Sequence, residues 1–207
     1  MATSTPTFKV ILCGEYGVGK SSIFRRFIDN TFTLETGPKS TVGLDHAVTE
    51  FNASGTQIRV ELWDTAGIER FATLSSSYFQ SASAAILCYS TTDRQSFNLV
   101  SQHILDIIMH SSTARIFLCG NKIDLAVLQG EQITESDVQD FQIQCDTVLS
   151  GTYEISCKTG EGVKEMFADI AMVLARNQKY KFDRSLMMPN IQPQENDECQ
   201  KSGKCCS

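Results

Sequence analysis

No apolar run in the 207 residues approaches the roughly 18 needed to cross a bilayer, and the best, residues 82–89, falls far short. Missing too is a basic leader with an apolar centre: the chain opens Met1-Ala2-Thr3-Ser4-Thr5-Pro6, without the glycine after methionine that myristoylation requires. The expectation is a protein that is neither secreted nor membrane-spanning. Basic excess is lacking as well. With 18 Lys plus Arg against 24 Asp plus Glu, the net charge is -6, which excludes broad nucleic-acid binding through phosphates. Any phosphate must therefore be held locally. Eight cysteines are present, but none in a metal-like CxxC pair. Cys13, Cys88 and Cys119 end apolar runs and Cys145 falls in a helical pattern, as expected of free thiols in a reducing compartment.

What is present is an ordinary globular composition, 42% hydrophobic and 20% charged, which excludes disordered, collagenous and coiled-coil classes. A body of this size buries roughly 70% of its unfolded surface in one core. Short apolar runs alternate with amphipathic segments, the pattern of a parallel sheet with helices on its faces. Phe8-Lys9-Val10-Ile11-Leu12-Cys13 reads as a buried strand, followed by a glycine turn and a helix with Ile23, Phe24, Phe27 and Ile28 on one face. Runs at about 44–51 and 57–63, separated by Asn52-Ala53-Ser54-Gly55, read as an antiparallel hairpin with one wetter face.

Further strands are predicted at 84–89, 115–119 and 152–155. One helical stripe, Phe97, Val100, Ile104 and Ile107, lies behind an Asp93 cap; another, Val138, Phe141 and Cys145, lies behind Thr134-Glu135-Ser136-Asp137. The last comprises Val163, Met166, Phe167, Ile170 and Leu174. The division is a flexible N-terminus at 1–7, a domain over 8–178 and a flexible tail over 179–207, where Pro189, Pro193 and mixed charges replace periodicity.

Gly14-Glu15-Tyr16-Gly17-Val18-Gly19-Lys20-Ser21 has Walker A spacing between a predicted strand and a predicted helix. Its glycines permit dihedrals that aim successive N–H groups into one concavity, where the positive end of the following helix also points. Lys20 can reach the outer phosphates, and the Ser21 hydroxyl can ligate magnesium. Asp64, at the end of a strand, can hold the metal or its water; Thr41, in a loop of turn residues, can complete the metal shell only while a third phosphate is bound. Gly67 lets the backbone approach that phosphate. Asn121-Lys122-Ile123-Asp124 follows another strand, and the Asp124 carboxylate can accept both N–H donors on guanine's Watson–Crick edge, which adenine does not offer.

These ordered motifs resemble those of the Ras superfamily of small GTPases, and within it the Rab family. The resemblance spans about 8–177 and rests on GEYGVGKS, TVGLDH, WDTAGIERF, NKID, Ser156-Cys157-Lys158 and the terminal Cys205-Cys206-Ser207. It implies an α/β fold, a P-loop GTPase with a six-stranded, mostly parallel sheet flanked by about five helices. Implied too are GTP or GDP with magnesium held by Ser21, Thr41 and Asp64, and a phosphate cradle of Glu15, Tyr16, Gly17, Val18, Gly19, Lys20, Ser21 and Ser22. By the same resemblance Phe32 packs on the base, Lys122 supports base and ribose, Ser156 supports Asp124, and the Cys157 amide meets the guanine carbonyl beside Lys158.

Three departures qualify the resemblance. Where the family usually carries a glutamine that orients the attacking water, this chain has Ile68, which can neither accept from water nor donate to phosphate. Tyr16 replaces a usually small residue and crowds the space beside the γ-phosphate. Slow intrinsic hydrolysis is the expectation, with Lys20, Thr41 and Gly67 left as the catalytic set, although Rab activators often supply an arginine and a glutamine in trans. His46 stands where an aromatic is usual, so that of the exposed effector trio only Trp63 and Tyr78 remain; a packed or solvated histidine is the alternative.

The tail of about 29 residues from Lys179 suits lipids on Cys205 and Cys206, since two prenyl chains anchor stably where one does not. The reading is a monomeric, membrane-cycling switch on the cytoplasmic face of an intracellular membrane, in vesicle trafficking. Its family partners would be an exchange factor, an activating protein, a dissociation inhibitor, a prenylation escort and effectors. Two alternatives stand beside it: a persistently GTP-bound scaffold, and a small-molecule P-loop kinase, which explains neither NKID nor the thiol ending.

Overall fold

The computed structural model describes residues 5–32, 45–64, 76–125 and 133–187. Its six strands are β1 (Thr7–Gly14), β2 (Asp45–Ala53), β3 (Thr56–Asp64), β4 (Ala84–Ser90), β5 (Arg115–Asn121) and β6 (Leu149–Ile155). They form one sheet in the order β2-β3-β1-β4-β5-β6. Every pairing is parallel except β2 with β3. That exception is the predicted hairpin. Ser54 (φ 51°) and Gly55 (φ 82°) are both left-handed, the combination that matches a two-residue connection to strand twist, and the Gly55 amide donates to Asn52 Oδ1 at 2.9 Å. Its wetter face carries the Arg59–Glu50 ion pair, while Ile58, Val60 and Leu62 point inward.

The described helices are α1 (Lys20–Asp29), α2 (Ser76–Phe79), α3 (Arg94–Asn98), α4 (Val100–His110), α5 (Glu135–Cys145) and α6 (Val163–Met187). Because strand side chains alternate, β1 serves two cores. Val10 and Leu12 pack with Ile23 and Phe24 of α1 and with Met166, Phe167 and Ile170 of α6. Ile11 and Cys13 pack instead with Phe97, Val100, Ile104, Ile107 and Val138. Phe27 closes the first core, its ring centroid 4.4 Å from Phe167 and 6.2 Å from Phe51. Full burial of each such side chain stabilises by roughly 1.5–3 kcal/mol, so packing on both sheet faces holds the strands whose carboxyl ends carry the loops after β1, β5 and β6.

Local chemistry sets the helix starts. Asp93 accepts from the Gln95 and Ser96 amides, and Thr134 and Asp137 bond reciprocally ahead of α5. The Arg94 guanidinium, with the Thr134 amide and hydroxyl, holds the Asp137 carboxyl down at about 2. The structure departs from expectation at two helices. The stripe read as a single helix from Phe97 to Ile107 falls on two helices that meet at Leu99, which keeps right-handed dihedrals (φ -86°, ψ -6°) and an amide bond to Gln95 O, so that α4 follows α3 with one residue between. The last helix continues past Lys179 to Met187, so the backbone stays helical where apolar periodicity ends. Cys13, Cys88, Cys119 and Cys157 are buried free thiols, and Cys145 is half-buried. No helix among the described residues is long and apolar enough to cross a membrane.

Candidate functional site

The loop from Gly14 to Gly19 owes its path to three glycines with φ of 124°, 80° and 104° at Gly14, Gly17 and Gly19, values L side chains rarely adopt. Two of them also have no room for a side chain. A Cβ on Gly14 would lie 2.1 Å from Cys88 O, and one on Gly19 would lie 2.2 Å from Asn121 Nδ2. Gly19 caps α1 without a side-chain hydrogen bond, unlike the caps of α3 and α5. The positive end of α1 therefore lies at the glycine loop itself, a setting that suits an anion. Lys20 is 5% exposed and its Nζ donates to Gly14 O at 2.8 Å and Glu15 O at 2.9 Å, keeping the ammonium inside the loop.

Side chains from the ends of β5 and β6 build the other half. Asn121, buried, donates from Nδ2 to Val18 O at 2.9 Å and accepts at Oδ1 from the Lys122 and Cys157 amides. Lys122 Nζ donates to Gly17 O at 2.6 Å, and burial lowers its pKa. Asp124 receives the Ser156 hydroxyl on Oδ1 at 2.6 Å, with Lys158 Nζ 3.6 Å from Oδ2. Burial pushes the Cys157 thiol up to about 12. Its amide, expected at a guanine carbonyl, donates here to Asn121 Oδ1 at 3.2 Å.

Between the halves lies a cleft of about 260 Å³. Gly17, Gly19, Ser22 and Phe32 line it on one side, and Asn121, Lys122, Asp124, Leu125, Cys157 and Lys158 on the other. Asp64 ends β3 at 1% exposure, and Ser21 stands in the first turn of α1; carboxylate and hydroxyl oxygens are the hard donors magnesium prefers. The cleft and this donor set fit a nucleotide with its cation. Tyr16 is 37% exposed at the loop. Thr41, Gly67, Ile68, Cys205 and Cys206 lie outside the described residues.

The effector surface needs one correction. Tyr78, expected as an exposed aromatic, is 5% exposed, because its hydroxyl donates to Trp63 O at 2.9 Å and to Leu12 O at 3.4 Å, across the ends of β1 and β3. Burial raises its pKa. His46 stacks on Trp63 with centroids 4.9 Å apart and has Glu61 within 3.9 Å, while Lys9 Nζ sits 4.8 Å from the Trp63 ring.

Two residues escaped the sequence reading. Arg26 Nε and Nη2 donate to Cys157 O at 3.0 and 2.6 Å, fastening α1 to the loop after β6. His103 reaches Glu15 at 2.9 Å. Nothing local separates Arg26 from its neighbour Arg25, and both contacts join residues remote in sequence.

Comparison with known proteins agrees with this geometry. The model of the Ras family matches residues 9–176. The chain is 34% identical over 165 residues to "Ras-related protein Rab-30" of Homo sapiens, covering 79% of this chain and 78% of that one. It is 37% identical to "GTP-binding protein yptV2" of Volvox carteri, over 81% of this chain and 76% of the relative. With "Ras-related protein RABE1e" of Arabidopsis thaliana it shares 35% identity, over 79% and 72%. Motif order, sheet order and these matches converge: the chain belongs to the Ras family, in the Rab branch of the small GTPases.

Proposed function

We propose that this small GTPase is a guanine-nucleotide switch of vesicle trafficking whose intrinsic hydrolysis is slow. The observation that carries the nucleotide reading is one cleft running from the glycine loop and the start of α1 to Asp124, held by Ser156. Amides from Glu15 to Ser22 would bind the phosphates, Lys20 would meet the outer ones, and Asp124 would select guanine by accepting its two N–H groups. Ser21, Asp64 and Thr41 would hold magnesium, which supplies charge neutralisation for the β- and γ-phosphates. Phe32 would pack on the base, with Lys122 and Lys158 along it.

In hydrolysis, water attacks the γ-phosphorus of GTP, the bond to the bridging oxygen breaks, and GDP and inorganic phosphate leave. Lys20 and the loop amides stabilise the growing negative charge, and the Gly67 amide offers a further donor. The water itself lacks a positioning amide, because Ile68 presents only hydrocarbon. Tyr16 adds bulk beside the same phosphate. Both residues favour a second reading, a scaffold that stays in the GTP state. Membrane attachment through lipids on Cys205 and Cys206, a monomeric state, and engagement of exchange factor, activator, dissociation inhibitor, prenylation escort and effectors through the region of His46, Trp63 and the 65–78 segment complete the proposal.

Two measurements test it. Protein purified from cells should carry one guanine nucleotide, with GDP indicating a working cycle and GTP a stalled one; ATP displacing it at comparable concentration would refute the assignment. In single turnover, Ile68→Gln should hydrolyse GTP at least about tenfold faster, the recovery of one well-placed hydrogen-bonding group. An unchanged rate would sink the explanation from Ile68.

A further inference from the structure

His103 belongs to none of the nucleotide motifs. It lies on α4 next to Ile104, and Val100, Ile104 and Ile107 anchor that helix in the core, so its position against the sheet is fixed. From there His103 Nε2 comes within 2.9 Å of Glu15 Oε1, with the two side chains 17% and 38% exposed. An ionised carboxylate only accepts, so Nε2 carries the proton and donates. The Glu15 carbonyl accepts in turn from Lys20 Nζ at 2.9 Å, beside Gly14 O at 2.8 Å. A single residue thus links a rigid helix to the ammonium of the phosphate loop.

Glu15 is an awkward residue for that loop. Its carboxylate opposes a polyphosphate by like-charge repulsion unless turned elsewhere and satisfied. The imidazole does both, drawing the side chain onto α4 while the main chain keeps its carbonyl under Lys20.

We infer that His103 is a positioning residue: acting through Glu15, it fixes the loop carbonyl that aims Lys20 and thereby lengthens the residence of bound guanine nucleotide. The inference rests on the nucleotide reading above and adds a residue to it.

The test is the release rate of a fluorescent GDP analogue, at fixed magnesium and pH, from the full chain and its variants, each checked by thermal melting. His103→Ala should release the analogue about five- to tenfold faster, as expected for loss of one charge-assisted hydrogen bond. His103→Gln, whose amide N–H can reach the same oxygen, should return the rate to within about twofold of the parent. In a Glu15→Ala background, His103→Ala should change release by less than about twofold, since the link is already cut. The inference is overturned if His103→Gln is as fast as His103→Ala, or if His103→Ala acts equally with and without Glu15, because the histidine would then serve only helix packing. A parent chain that holds no guanine nucleotide overturns both readings, whereas tight GDP binding with His103→Ala unchanged overturns this one alone.

Discussion

On the proposed nucleotide reading, the two ends of the cleft would solve recognition by different means. At the phosphate end the ligand-facing groups would be main-chain amides with Lys20, and the loop geometry is stored in backbone conformation, in Gly14, Gly17 and Gly19 at positive φ. At the base end geometry is stored in side chains that hold one another: Asn121 on Val18 O, Ser156 on Asp124, Arg26 on Cys157 O. Phosphates are common to all nucleotides and need only a concave donor surface, whereas a base is read by the pattern of donors and acceptors on one edge. Damage to the first end should therefore cost affinity without selectivity, and damage to the second should alter selectivity.

The largest expected effect comes where the two ends touch. A Cβ at Gly19 meets Asn121 Nδ2 at 2.2 Å, and φ is 104°, so Gly19→Ala strains the loop and displaces the asparagine that supports Val18 and Cys157. The expected loss is at least about 3 kcal/mol of GDP binding, more than 100-fold. Gly17→Ala is the control: φ is 80° but nothing lies within 4 Å of its Cβ, so only backbone strain of about 1–2 kcal/mol is expected. Titration calorimetry with GDP compares them, and equal losses would mean that the contact with Asn121 carries no weight.

The same division explains what could be read from the chain alone. Backbone devices announce themselves locally. Glycine spacing, the Asp93 and Thr134 caps and the Ser54-Gly55 turn each follow from a few adjacent residues, and the hairpin faces follow from alternation of Ile58, Val60 and Leu62 with Arg59 and Glu61. Contacts between distant residues do not announce themselves. Arg26 meets Cys157 across 131 positions and Glu15 meets His103 across 88, so each became visible only when the sheet order set β1 between β3 and β4. Tyr78 was misjudged for the same reason, its burial depending on the ends of two strands. The junction of α3 and α4 at Leu99 lies inside an unbroken apolar stripe, where periodicity gives no sign that the segment divides into two helices.

At the base end Asp124→Asn should exchange one selectivity for another. The amide keeps one acceptor and gains an N–H₂ that faces guanine's own donors, costing about 2–4 kcal/mol of GDP affinity. Xanthine carries a carbonyl where guanine has its amino group, so the new donor has a partner and the xanthosine diphosphate complex should strengthen. Competition binding with both nucleotides measures the crossover. Parallel weakening toward both would place Asp124 outside base reading and collapse the contrast between the ends.

The smallest effect sharpens the contrast most. Ser156 is fully buried, donates to Asp124 Oδ1 at 2.6 Å and accepts from the Thr159 amide at 3.1 Å, so Ser156→Ala removes the group that orients the reading carboxylate without touching the charge itself. Loss of a buried hydrogen bond to a charged partner costs about 1–2 kcal/mol, or roughly tenfold in GDP affinity, and part of it should disappear in the Asp124→Asn background because the two residues act as one unit. The serine also staples the turn at Thr159, so melting temperature must be followed alongside affinity. If melting falls while GDP affinity holds, Ser156 merely secures the loop, and Asp124 would then be placed by the backbone and by Lys158, whose Nζ lies 3.6 Å from Oδ2.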